Sequence, residues 1–426
     1  ELRAKIVPQY VPALYLGDPE NNVFIMEDVS NLKLIRFQMN KNHLFPELAK
    51  QGAQYLAATH FYTSEFYLPT EEYRKLLAHF MNAELRVVME NGIFLNIFGA
   101  DQYDPACGPE FEEYCKSIRF DPNLEFQRYK LRHLFMSKSE TLIHGDFHTS
   151  NIFADDTHLK VIDMEYTFGA PFSYDLGFII ANIISQTCSA AVRPFDTETH
   201  RKNYVAYLIS LIEMLYTYYI AFFFEYWEKD AKLEYKITNG YKESLALDIL
   251  RECFGFAACV NFSRVCGDMD TADFDCIKDN TLRTKAKFAS VTIDKVLFEK
   301  WDSYNDIKEV IDYIRSVKKD MKIRINTNGL ANDIYGRDVT PEYKGRFDTV
   351  SISLNAPTKE EFLELTRSKF GISSFDDMLD FAKKCKAYVP NVVLTVVDII
   401  GEEKIEACRK ITDEIGVTLR VRPFEE

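Results

Sequence analysis

The chain has 426 residues, 47% hydrophobic and 14% aromatic, enough apolar side chain for two or three packed domains and too much for a disordered protein. Its 51 basic and 65 acidic residues leave a formal charge of −14, which excludes nucleic acid or an anionic membrane as the main partner, since neither attracts an acidic protein. Nine cysteines without close spacing point to free thiols in a reducing compartment, hence the cytoplasm, and exclude a disulfide framework or a zinc site.

In chain order, residues 11–16 and 23–26 read as short strands around Gly17, Asp18, Pro19, Glu20, Asn21 and Asn22, residue types that favour a tight reversal. Apolar residues at three and four spacing predict helices over 43–63 and 70–82, the second opened by Pro69, Thr70, Glu71 and Glu72. Two more are expected over 111–118 and 124–136, and others near 174–187, 200–228, 242–265 and 281–299. The stretch 204–224 has the length of a membrane span, but Ser210, Glu213, Thr217 and five tyrosines make it a buried helix on this reading.

Between these helices lies the most informative segment: His144, Gly145, Asp146, Phe147, His148, Thr149, Ser150 and Asn151, then Val161, Ile162, Asp163, Met164 and Glu165. Phosphoryl transfer from ATP asks a protein mainly for positioning and charge neutralisation. A carboxylate orients the attacking hydroxyl, while an amide and further carboxylates hold Mg²⁺ against the phosphates. Asn151 follows Asp146 by five residues, the interval of the general kinase catalytic loop. Twelve residues later comes Asp163, at the end of an apolar run (Leu159, Val161, Ile162) that predicts a short buried strand. Glu165 lies two residues on, and a strand-like period of two turns it to the same side, giving two hard oxygen ligands suited to Mg²⁺. The plainer reading of the same acids is a loop turn at His-Gly-Asp and a helix cap at Asp163.

Three words, LIHGDFHTSNIF (142–153), KVIDMEYTFGAPFSYDLGFIIANII (160–184) and VFIMEDVSNL (23–32), resemble the aminoglycoside phosphotransferase and choline kinase superfamily, most closely its methylthioribose kinases. The resemblance covers about residues 1–310 and implies an α/β, protein-kinase-like fold with a mostly helical large lobe. It also implies that Asp146 is the base for a sugar hydroxyl, that Asn151, Asp163 and Glu165 surround Mg²⁺, and that His144 and Asp175 support the catalytic loop. The Glu27 carbonyl and Val29 amide would pair with the adenine of ATP. The implied reaction is phosphorylation of the anomeric hydroxyl of 5-methylthioribose in methionine salvage, with a small-molecule sugar as partner and a homodimer as assembly.

An Arg pair late in the large lobe of that family falls on Asn261, Phe262, Ser263, Arg264, Val265, Cys266 and Gly267. Arg264 takes the second place, as a substrate-binding residue beside Asp146, and Ser263 stands at the first. A hydroxyl poorly replaces a bidentate guanidinium, so the substrate is held differently or is a different one. The plainer reading of Arg264 is a surface cation near a helix end. Neither a glycine-rich loop nor a phosphate-pairing lysine is found: no Gly precedes Gly17, and Lys5 lies too close to the hinge. The chain begins with Glu1, so an N-terminally incomplete member is expected, with a small-lobe remnant and hinge over 1–30 and the large lobe over 31–315. Such a chain would bind ATP poorly and could be inactive as given.

From about residue 315 short β-rich runs alternate with amphipathic helices: strands over 322–327, 349–354, 391–398 and 418–421, helices over 359–366, 374–386 and 402–415. Val392, Val393, Leu394, Thr395, Val396 and Val397 are apolar on both faces, as in a parallel sheet covered by helices. KIRINTNGLANDIYGRD (322–338), VSISLNAP (350–357) and TLRVRPFEE (418–426) resemble the later strands of a radical S-adenosylmethionine barrel of the TatD-associated kind. That likeness implies that Asn326, Asn328 and Gly329 lie where the cofactor would approach. The barrel's cluster needs three cysteines spaced CxxxCxxC, and none are found, so 316–426 is expected to be a half-barrel without an iron–sulfur cluster and with an open edge. A helix expected over 304–315 could belong to either part, and a non-catalytic fusion of two incomplete parts is the alternative to a kinase.

Overall fold

The structure, a computed structural model, describes residues 1–423 except 19, 22, 96–104, 267–271, 317–323 and 346. Pro19 and Asn22 of the expected turn, Gly267, the start of the strand expected from 322, and 424–426 lie outside the described residues. Two units emerge, Glu1–Lys318 and Lys319–Glu426.

The first unit opens with a short helix, Leu2–Ile6, and an antiparallel hairpin of β1 (Leu14–Asp18) and β2 (Val23–Met26), with Leu16 opposite Ile25 and Asp18 opposite Val23. The Asp18 carboxylate accepts the Glu20 and Asn21 amides, both at 3.1 Å, so a short polar side chain closes the reversal. Five short strands follow: β3 (Lys33–Leu34), β4 (Thr141–Leu142), β5 (Ile152–Ala154), β6 (Leu159–Val161) and β7 (Gly169–Ala170). β3, β5 and β6 form one antiparallel sheet, β4 and β7 another.

Behind these strands stands helix Ser173–Ala190, buried along its whole length, which is the signature of a core helix. Helices Leu48–Tyr62, Glu198–Asp230, Tyr241–Cys266 and Asn280–Lys300 pack around it. Glu198–Asp230 alone among the described helices is long and apolar enough to cross a membrane. It lies against Leu48–Tyr62 with Leu208, Leu215, Tyr219, Phe223 and Trp227 buried, which gives it a packed face inside the unit.

Several boundaries shift from the periodic pattern for backbone reasons. The helix expected from residue 43 starts at Leu48, because Pro46 disfavours helical geometry at Phe45. The helix expected to reach residue 82 ends at His79, and Asn82, at φ +44°, opens a further helix, Ala83–Glu90, that periodicity did not separate. A more consequential correction concerns the acids after β6. The strand stops at Val161, Asp163 has φ +65° and Glu165 lies in a turn, so a period of two does not govern the pair.

The second unit is a four-stranded parallel sheet, β8 (Arg324–Thr327), β9 (Thr349–Ser353), β10 (Asn391–Val397) and β11 (Thr418–Arg422), with strands side by side in chain order. Parallel strands require crossovers: the short helix Ala331–Tyr335 lies between β8 and β9, Lys359–Thr366 and Ser374–Cys385 between β9 and β10, and Glu402–Ile415 between β10 and β11. β9 and β10 are its buried centre, and β11 is an edge. Gly329, just past β8 at φ +78°, is explained by packing: a Cβ there would lie 2.6 Å from Met378 Cγ and 2.9 Å from Ile352 Cγ2. Asn326 and Asn328 are exposed, Asn328 accepting the Leu330 amide at 3.1 Å, and Cys385 and Cys408 are buried on helices.

Candidate functional site

Residues 143–151 join β4 to β5, and residues 162–168 join β6 to β7, so strand pairing sets the two connections side by side. Ile152 faces Val161 across the sheet, and the ladder extends outward as the Ile162 amide donates to the Asn151 carbonyl at 3.0 Å. The Ile162 carbonyl binds His144 Nε2 at 2.9 Å. One backbone residue thus fastens both ends of the first connection directly beside Asp163.

His144 is fully buried, and desolvation together with the positive charge of Arg3 lowers its pKa to about 4, so the ring is neutral. Its Nε2 then donates to Ile162 and its Nδ1 accepts the Asp146 amide at 3.3 Å. Gly145, at φ +86°, has no room for a side chain, because a Cβ would stand 2.2 Å from the Tyr166 carbonyl oxygen. Below them the buried Asp175 carboxylate accepts the His144 amide at 2.6 Å and the Gly145 amide at 2.9 Å and meets His60 Nε2 at 3.2 Å. Burial pushes the Asp175 carboxyl up, but the His60 hydrogen bond, the nearby His60 and His144 rings and the His144 amide outweigh it and leave its pKa lowered.

Asp146 therefore projects from a loop fixed on both sides. Its Oδ2 lies 3.2 Å from His148 Nε2 and 3.3 Å from Asn151 Nδ2, and Asn151 also donates to the Asp146 carbonyl at 3.0 Å. Burial raises the Asp146 carboxyl, yet its bond to His148 and the charges of His148, His144 and Arg264 bring the net shift below the usual value, so it is an ionised acceptor at neutral pH. Burial, then the charges of Glu165, Asp146 and Asp163, raise the Tyr166 hydroxyl pKa.

The hard-oxygen donors these connections offer a divalent cation are two exposed carboxylates, Asp163 and Glu165, and the Asn151 amide oxygen, whose amide nitrogen is spent on Asp146. No three His, Cys, Asp or Glu side chains among the described residues form a metal group by themselves. By donor type, carboxylates and an amide oxygen are what Mg²⁺ takes, a hard ion that keeps water and draws further ligands from phosphate.

Arg264 is 4% exposed, which corrects its reading as a surface cation. Its Nη2 lies 3.7 Å from the Asp273 carboxylate, and its charge is among those acting on Asp146. Ser263 turns its hydroxyl onto its own helix, donating to the Val260 carbonyl at 2.8 Å. Glu27 brackets the hairpin, its carboxylate taking the Ala13 amide at 3.0 Å and the Lys160 ammonium at 3.1 Å, while the Val29 carbonyl accepts the Leu32 amide at 3.0 Å.

Three participants escaped sequence reasoning. His148 touches the Asp146 carboxylate, and its place two residues after the acid was the available signal. His60 sits on a helix far from the motif and carries no local signal. Arg36 donates from Nε to Thr149 Oγ1 at 3.0 Å and from Nη2 to Asn182 Oδ1 at 2.8 Å, with its backbone amide on the Thr149 carbonyl at 3.1 Å.

Residues 103–204 match the phosphotransferase enzyme family. A methylthioribose kinase of Geobacillus thermodenitrificans is 33% identical over 288 residues, 67% of this chain and 69% of its own. One from Bacillus cereus is 30% identical over 308 residues, 72% of this chain and 75% of its own. Among solved structures, a glucosamine kinase superposes with a TM-score of 0.36 and 13% identity, covering 64% of this chain and 66% of that one. With a phosphotransferase motif held between paired strands and relatives alike over most of their length, this chain belongs to the methylthioribose kinase family of small-molecule kinases.

Proposed function

We propose that the first unit transfers the γ-phosphoryl group of ATP to the anomeric hydroxyl of 5-methylthioribose in the cytoplasm. The observation that carries the reading is the fixed Asp146 carboxylate, ionised and flanked by Asn151 and His148, with Asp163 beside the Ile162 knot. Asp146 accepts the proton of the attacking hydroxyl, and Arg264, buried and among the charges acting on Asp146, orients the sugar's oxygens. Asn151, Asp163 and Glu165 would hold Mg²⁺, which when bound supplies charge neutralisation on the phosphates. Glu27 and Val29, on the segment after β2, would pair with adenine through backbone groups.

Ser263 favours a second reading, a kinase for another hydroxylated small molecule, because its hydroxyl is engaged with Val260 and offers no fork of donors to the substrate. Phosphorus NMR of ATP with a panel of sugars and amino alcohols separates the two, run with the chain alone and with the chain preceded by the glycine-rich lobe of a relative. A new anomeric phosphate ester from methylthioribose is expected. Transfer to a different panel member alone would favour the second reading, and transfer to none would overturn both.

A further inference from the structure

The relative position of the Asp146 loop and the Asp163 turn is set from outside either connection. Arg3, on the helix Leu2–Ile6, donates from Nη2 to the Ile143 carbonyl at 2.8 Å and from Nη1 to Thr167 Oγ1 at 2.7 Å. Ile143 immediately precedes His144, Gly145 and Asp146. Thr167 closes the turn that carries Glu165, its hydroxyl donating to the Met164 carbonyl at 2.8 Å while it accepts from Arg3. Ile143 and Thr167 are buried, at 0% and 5% exposed, so a hydrogen-bond partner for each acceptor matters.

The two connections already touch through the Ile143 amide on the Phe168 carbonyl at 3.1 Å, a contact that one planar guanidinium spans from above. A cavity of about 160 Å³, lined by Arg3, Thr63, Phe80, Met164 and Thr167 among others, lies against this side of the helix. The fork of donors ties the helix to both connections across this cavity.

We infer that Arg3 is a positioning residue for phosphoryl transfer, holding the loop of the base and the turn of the metal-binding acids at a fixed spacing with the two arms of one side chain. The inference rests on the kinase reading for its consequence, and on geometry alone for the spacing. A shift in this spacing would misalign Asp146 against Asp163 and Glu165 without altering any of them, and misplacement on the order of 1 Å is costly in such reactions.

The test replaces Arg3 in the full chain by Met and by Lys and reads hydrogen exchange and turnover together. In Arg3→Met, exchange is expected to rise in both 142–147 and 163–168, with kcat down about tenfold or more and the sugar KM within about twofold. Arg3→Lys should recover part of the loss, because an ammonium cannot take both acceptors with a fork's geometry. Faster exchange confined to the first ten residues, or an unchanged kcat, would overturn the inference. Loosening of both loops in a protein that transfers phosphate to no sugar would uphold the spacing role and sink the kinase reading instead.

Discussion

Single residues at this site act through what holds them. Asp146 becomes useful because its loop cannot drift: Gly145 makes the turn, Asp175 takes two amides and His144 locks onto Ile162. The His144 lock has a measurable signature. Its folded pKa of about 4 lies below the usual 6.5, so between these values the unfolded chain binds a proton that the folded one refuses. Stability is accordingly full above pH 6.5 and is lost as pH falls toward 4, on the order of 3 kcal/mol from this group. Urea unfolding midpoints across that range check it: the wild-type slope should exceed that of His144→Gln, and equal slopes would show that the ring is not held neutral.

At the level of elements, the site is a crossing of two short strand pairs mounted on one buried helix. Asp175 joins that helix to the loop above it and draws His60 from the helix Leu48–Tyr62 into the same contact. Asp175→Ala leaves two buried amides and an imidazole without their acceptor, and a loss of about 4 kcal/mol in denaturant unfolding is expected. A loss below about 1 kcal/mol would mean the loop is held elsewhere.

The motif's spacing anticipated the contact of Asn151 with Asp146 and the hairpin that leads to Asp163, since each interval along the chain reflects a loop that must close. Glu165 was legible by identity but not by geometry, because a left-handed Asp163 is a backbone state that periodicity does not encode. Arg3, Arg36 and His60 were illegible, as each reaches the site across more than eighty residues of chain. In the second unit, alternating apolar runs gave strands and helices close to those observed, because β/α repeats bury whole strands and leave a strong pattern.

Seen whole, the chain joins a mostly helical phosphotransferase unit to a β/α unit of separate construction, each with its own core. The residues proposed for catalysis all belong to the first, so the second is not called on for chemistry. The central claim is that Asp146 is the base, and the most direct measurement compares Asp146→Asn with the unaltered chain in single-turnover phosphoryl transfer to methylthioribose, alongside calorimetric nucleotide binding. The account predicts a rate lower by roughly a thousandfold with nucleotide affinity unchanged. Transfer by the Asn variant at the unaltered rate would contradict it.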